Sequence, residues 1–311
     1  MNKRIPFVYL ISTSYSGSTL LSILMNAHPQ VASVGELANS IGMMVKGGSI
    51  DRYYCSCGLE IKQCAFWKNV KRYCFESGVE LDLHNFNTNL DAGFGEHLNR
   101  LLFGKAKRFE SLESLRDSLL WMLPGFRNMI KDTIHLNIVV AQAILRASEK
   151  EILFDASKDA KRGFYLAKDN ICDFKLVHLV RDITGFINSC RKRKGDGYYE
   201  KASNNWIRVH QAALRMKADL PDKAYLLVKY ERLCEHTEET IEEICRFIGI
   251  DAIDLVARAK KNEHHIIGNT MRARPFNAVC IDEAWKKDLS DQQIAACMQK
   301  TGYLRKLLDY K

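Results

Sequence analysis

Proline is scarce, five in 311 residues, and no stretch is dominated by glycine, serine or any other single residue, which excludes collagen-like and low-complexity chains. No run approaches the roughly 18 consecutive apolar residues of a membrane span. The N-terminal apolar run, Phe7 to Ile11, is broken at once by Ser12, Thr13 and Ser14. It is also too short for a secretory leader, and no small-residue cleavage site follows it, so a cytoplasmic protein is expected. Without a secretory address, the ten cysteines read as reduced thiols, buried apolar groups or metal ligands before they read as a disulfide framework. Internal repeats and flexible linkers are lacking too, so one elaborated domain over 1–311 is expected.

What is present is ordinary globular material, 47% hydrophobic and 27% charged, with a surplus of nine positive charges. A surplus of that size points to an anionic partner: nucleic acid, an anionic lipid surface or a phosphorylated small molecule.

Phe7 to Ile11 reads as a strand, Ser14-Tyr-Ser-Gly-Ser-Thr19 as a polar loop, and Leu20 to Met25 as a helix that stops at His28-Pro29. Further strands are expected at Glu151 to Phe154, Phe174 to Val180 and Ala224 to Val228, with an amphipathic helix from about Thr184. Short apolar strands separated by long helical stretches predict an α/β fold, a P-loop-like parallel β-sheet with helices on both faces. A mostly helical insertion is expected over about 40–150, where Leu112, Leu115, Leu119 and Met122, then Ile138, Ala141, Ile144 and Leu145, recur at three- and four-residue steps. The C-terminal region is helical again over Thr237 to Ile248 and Asp288 to Leu308, around a polar, basic stretch, His264 to Val279, that reads as a functional loop.

A strand that enters a Ser/Thr-rich loop with a glycine and then a helix is the geometry in which backbone N–H groups and the positive helix end hold phosphate. Ser14, Tyr15, Ser16, Gly17, Ser18 and Thr19 occupy that place, although Ser and Thr there also suit an ordinary helix cap. A nucleotide-hydrolysing P-loop needs Lys after its last Gly. Ser18 stands in that position, which disfavours ATP chemistry.

The segment Ser14-Tyr-Ser-Gly-Ser-Thr-Leu-Leu21, Ala27-His-Pro29 and Val34-Gly-Glu36-Leu37 resembles the 5′-phosphosulfate loop of sulfotransferases that use 3′-phosphoadenosine 5′-phosphosulfate (PAPS), nearest to the bacterial carbohydrate-type and tyrosylprotein-type branches. The family's second signature, a strand-end Arg followed eight positions later by Ser, resembles Arg181 and Ser189 here. The resemblance implies that these two grip the donor's 3′-phosphate. Asp155-Ala-Ser-Lys158 resembles the segment that carries a basic residue into the active site, Val228-Lys-Tyr-Glu231 the fourth-strand turn, and Gly268-Asn-Thr-Met-Arg272 a C-terminal loop that closes over the nucleotide with Arg272. One departure is Tyr15, where relatives have Lys or Arg.

Sulfuryl transfer needs a base on the acceptor hydroxyl and a cation on the leaving oxygen, and no metal. By motif, Glu36 is the candidate base and Lys158 the candidate cation, with His28 a second base to consider. The implied partner is PAPS with a small-molecule or glycan acceptor, carbohydrate-like before others, and neither nucleic acid nor a membrane span. Two other readings remain open. One is a small-molecule kinase on the same fold. The other is a non-catalytic basic binding module, for which Arg191-Lys-Arg-Lys194 is the one clustered run; that run also reads as a solvated helix end or the rim of an acceptor channel. Finally, Cys55, Cys57 and Cys64, with Cys74 a possible fourth, follow no standard zinc spacing. A metal knuckle, a disulfide and a compact reduced turn under Phe66 and Trp67 all fit, and reduced thiols without a metal are the expectation.

Overall fold

In the computed structural model, residues 4–38, 54–83, 86, 88, 90, 102, 110–261, 264–268, 270–273 and 276–310 are described. Five strands, β1 (Pro6–Ile11), β2 (Val31–Gly35), β3 (Ile152–Asp155), β4 (Asp173–Val180) and β5 (Tyr225–Lys229), form one parallel sheet in the order β2-β3-β1-β4-β5. The four expected strands lie within a residue of their predicted bounds. The fifth, β2, is the short extended piece after His28-Pro29, and it sits at the sheet edge beside β3.

β1, β2, β3 and most of β4 are buried on both faces, as a parallel sheet requires, while the edge strand β5 is half-buried; alternate side chains serve opposite cores. Phe7, Tyr9 and Ile11 of β1 meet α2 (Ala65–Glu76), α4 (Pro124–Ser148) and α5 (Ala160–Asp169) on one face. Val8 and Leu10 meet α1 (Ser18–Asn26) and α9 (Thr237–Ile248) on the other. A third cluster joins α6 (Ile183–Lys194), α7 (Tyr199–Asp219) and α12 (Asp291–Leu307) beyond Val180. The short helices α8 (Tyr230–Glu235), α10 (Leu255–Ala259) and α11 (Trp285–Asp288) complete the described helical set. The helix expected over Asp288 to Leu308 begins at Asp291, because Ser290 caps α12 with a reciprocal Ser290–Gln293 capping box, and Asp288 instead ends α11.

The insertion is helical, but one of its faces is the reverse of that expected. In α3 (Glu110–Met122), Leu115, Leu119 and Met122 are 57%, 54% and 75% exposed, while Glu113 and Asp117 are buried. Asp117 pairs with Arg116 and Lys161, so charge, and not the leucine stripe, takes the inward side. Ile138, Ala141, Ile144 and Leu145 of α4 are buried as their period predicts. Part of the expected insertion, the side chain of Leu112, and Asn269 of the C-terminal loop lie outside the described residues. No described helix is long and apolar enough to cross a membrane.

The chain leaves β1 toward β2 and β3 but leaves β4 toward β5, so the connections part between β1 and β4. In open α/β sheets that point, at the carboxyl ends of the strands, is where a crevice opens.

His178 in β4 lies 2.8 Å from the Tyr225 hydroxyl and 2.8 Å from His210 of α7, and both imidazoles are wholly buried. Burial drives the pKa of His178 down to about 3 and that of His210 well below its usual value. Both stay neutral in the fold, whereas in the unfolded chain each takes up a proton below about pH 6.5. Stability should therefore be full above pH 6.5 and fall as the pH drops below it, by up to about 1.4 kcal/mol per pH unit for each buried imidazole. His28 and His264, also lowered by burial, add to the same slope. Urea midpoints between pH 7.5 and 5.5 check this; a flat profile would show that the imidazoles are hydrated.

Candidate active site

The loop after β1 is shaped by two residues of positive φ, Tyr15 at 63° and Gly17 at 87°. Gly17 is needed there, because a Cβ would stand 2.6 Å from the Tyr230 ring. No side chain caps α1 at Gly17 and no acidic residue lies in its first turn, so the positive helix end is left to a ligand. The loop residues divide. Tyr15, Gly17, Ser18 and Thr19 line a cavity of about 570 Å³. Ser16 is buried with its hydroxyl 2.6 Å from that of Thr13, bracing the loop, and Ser14 is exposed outside the cavity lining.

Arg181 and Ser189 line the same cavity. Arg181 follows β4, and its buried guanidinium donates to the Tyr15 carbonyl at 2.9 Å and the Ser189 hydroxyl at 3.1 Å, over the Tyr230 ring. Its other nitrogen donates to Asp282, to the carbonyl at 2.9 Å and the carboxylate at 3.0 Å. Burial alone would raise the pKa of Asp282, but the hydrogen bonds from Arg181 and the Ala284 amide hold it below its usual value. An anion thus already rests on Arg181, supplied by the strap 276–282, most of which lines the cavity.

Lys192 and Arg193 also line this cavity, and the Arg193 guanidinium lies 5.2 Å from the centre of the Tyr15 ring. The basic run of α6 is therefore both a helix end and a wall of the phosphate-loop cavity. Tyr230 and Asp282 went unrecognised as site residues in the sequence. For Tyr230 the available signals were its place after a parallel strand and within the Val228-Lys-Tyr-Glu231 turn, and for Asp282 there was none.

Glu36 and Lys158 do not line the cavity but border it at Ser18. The Lys158 ammonium donates to the Glu36 carboxylate at 2.6 Å and to the Ser18 hydroxyl at 3.5 Å. Lys158 holds a left-handed φ of 65° just past β3. A buried network supports this turn. The Asp155 carboxylate pairs with Arg162 and accepts from the Ser157 amide at 2.9 Å, and the Ser157 hydroxyl accepts from the Ala38 amide at 2.8 Å. Arg162 in turn donates to Asn137 of α4 at 2.8 Å.

The other expected positions lie elsewhere. His28 is buried before β2, at the amino end of the sheet, with its imidazole on the Asp251 carbonyl and the Gln30 amide, and it is removed from consideration as the base. Arg272 is buried beneath the C-terminal loop and donates to the carbonyls of Tyr54 and Gly268; its neighbour Met271 lines the cavity instead. All ten cysteines are free thiols, which removes the disulfide. Cys55, Cys57 and Cys64 come together, but Cys74 packs in the core of α2 and is replaced in that group by His265.

At Gly35, φ is 78° and a Cβ would lie 2.3 Å from the backbone oxygen of Ile267, which accepts from the Glu36 amide. At Gly195, φ is 84° with open space around it. Gly195→Ala should cost only the left-handed strain, about 1–3 kcal/mol. Gly35→Ala should cost more, because backbone must move. Denaturant midpoints of the pair check this; equal losses would contradict it.

Residues 147–254 match a family model described as "Sulfotransferase family", a span that includes Lys158, Arg181 and Ser189. Among solved structures, the fold is similar to the sulfotransferase domain of the Synechococcus PCC 7002 olefin synthase, at TM-score 0.57 and 18% identity over 100% of this chain and 97% of that one. It is also similar to the sulfotransferase domain from the curacin biosynthetic pathway, at 0.54 and 13% over 100% and 99%. A third is a sulfotransferase from Mycobacterium avium, at 0.52 and 10% over 100% and 78%. These identities speak for the fold alone. No curated protein matches this chain.

Proposed function

We propose that this chain, residues 147–254 of which match the sulfotransferase family model, is a sulfotransferase that moves a sulfuryl group from PAPS to the hydroxyl of a small-molecule or glycan acceptor, carbohydrate-like before others. The observation that carries this is the meeting, in one cavity at the sheet's switch point, of the phosphate loop with Arg181 and Ser189, next to a Glu36–Lys158 pair.

The residues present fit the donor's two anionic ends. Arg181 and Ser189 would hold the 3′-phosphate, a role for which the Asp282 carboxylate on the same guanidinium is a natural stand-in. The N–H groups at the start of α1, with Ser18 and Thr19, would hold the 5′-phosphosulfate, and Arg193 over Tyr15 adds a cation on that wall.

Glu36 takes the proton from the acceptor hydroxyl as its oxygen bonds to sulfur. The bond between sulfur and the bridging phosphate oxygen breaks, and the electron pair stays with that oxygen as adenosine 3′,5′-bisphosphate leaves. Lys158, within reach of both Glu36 and the loop hydroxyl of Ser18, meets the charge that grows there. The kinase reading has no comparable support, since Ser18 occupies the place of the P-loop lysine.

Adenosine 3′,5′-bisphosphate should raise the melting temperature while ATP with Mg²⁺ does not; the reverse order would favour the kinase. Glu36→Gln should keep nucleotide affinity and lose roughly 10²–10⁴ in rate. Lys158→Ala should lose on the order of 10²–10³ under saturating PAPS. Unchanged turnover in either variant withdraws that residue from the chemistry.

Arg181→Ala should weaken adenosine 3′,5′-bisphosphate by about 1.5–3 kcal/mol and leave adenosine 5′-phosphosulfate nearly unaffected. Asp282→Asn, which removes a competing anion, should tighten the bisphosphate. Calorimetry with both ligands checks this, and equal weakening of the two by Arg181→Ala would overturn the 3′-phosphate assignment.

A further inference from the structure

The segment 55–64 has little regular structure: one bridge, Tyr54 to Glu60, closed around Gly58 with φ at 86°. Its amides are satisfied by tight turns, Cys55 N–H to the Leu59 carbonyl at 2.8 Å and Gly58 N–H to the Cys55 carbonyl at 3.0 Å. Such a knuckle has few apolar groups of its own, yet it delivers three thiols to one point. A fourth donor arrives from 201 residues beyond Cys64, the Nδ1 of His265.

The four atoms, three Sγ and one Nδ1, lie within 4.8 Å of one another. Cys57 and Cys64 are 3.7 Å apart, His265 Nδ1 is 3.6 Å from Cys55 Sγ, and it is 3.4 Å from Cys64 Sγ. A tetrahedral zinc ion with Zn–S near 2.3 Å and Zn–N near 2.0–2.1 Å requires edges of about 3.8 Å between sulfurs and about 3.6 Å between sulfur and nitrogen. A disulfide would require about 2.05 Å. The imidazole is already oriented, stacked on Phe66 at 4.7 Å with the planes 5° apart.

We propose that Cys55, Cys57, Cys64 and His265 bind one zinc ion in a closed, four-ligand structural site. Three thiolates and one neutral imidazole fill the tetrahedron and leave no open position for a substrate, so the ion is a staple and takes no part in group transfer. The thiol protons leave to solvent as the ion binds.

The staple joins the knuckle to the segment that flanks Glu36. Ser56 and Ile266 exchange hydrogen bonds, from the Ser56 amide to the Ile266 carbonyl at 3.2 Å and from the Ile266 amide to the Ser56 hydroxyl at 2.8 Å. One residue on, Ile267 donates to the Val34 carbonyl at 2.8 Å and accepts from the Glu36 amide at 3.2 Å. Arg272 closes the far side on the Tyr54 carbonyl at 2.9 Å.

The test reads metal content of the full chain, so its outcome is separate from that of the sulfuryl-transfer reading. Elemental analysis of protein purified under reducing conditions should find one zinc per chain. Cys57→Ser and His265→Ala should fall to none, and Cys74→Ser should keep one. Should the first two variants fail to fold, wild-type protein stripped of metal and titrated with Co²⁺ alone should develop the visible bands of tetrahedral thiolate cobalt with an end point at one equivalent. A wild-type chain that takes up neither Zn²⁺ nor Co²⁺ overturns the proposal. So does full zinc content in folded His265→Ala.

Discussion

A carboxylate with no access to water, Asp155 at the end of β3, is the constraint on which the site depends. Isolated, such a charge costs several kcal/mol, and only good pairing with further hydrogen bonds offsets that cost. Arg162 supplies the charge and Ser157 two donors, while Asn137 holds Arg162 from α4. Each of these partners therefore has one allowed place. The turn to Lys158 follows, and so does the anchor at Ala38 that brings Glu36 opposite it.

The parallel sheet brings the remainder into range. Its strands end on one rim, so the loop after β1, Arg181 after β4 and Tyr230 after β5 face one another although more than 200 residues separate the first from the last. Tyr230 does double duty there, filling the space beside Gly17 and lying under the Arg181 guanidinium. Backbone conformations that glycine or strain must provide recur at this rim, at Tyr15, Gly17, Gly35 and Lys158.

Much of this was legible from local pattern. The strands, the phosphate loop, Arg181 with Ser189 eight residues on, and the Glu36 and Lys158 candidates follow from periodicity, loop chemistry and family resemblance, and the structure brings Glu36 and Lys158 together. What was not legible depends on contacts between distant segments. Asp282 reaches Arg181 across 101 residues, and His265 reaches the cysteines across 201 or more. In α3, apolar period predicted the helix but not its inward face, because the deciding partner, Lys161, belongs to another helix.

The strand order has a consequence for how the chain can change. The helical insertion leaves from β2 and returns to β3, the two strands at one edge, whereas the phosphate loop, Arg181 and Tyr230 belong to β1, β4 and β5. No ladder hydrogen bond between β1, β4 and β5 is made by a described residue of the insertion. A change of length at that edge leaves the β1, β4 and β5 ladder around the crevice in place, but the insertion is not independent of the site, because Asn137 of α4 ties it through Arg162 to the turn at Lys158.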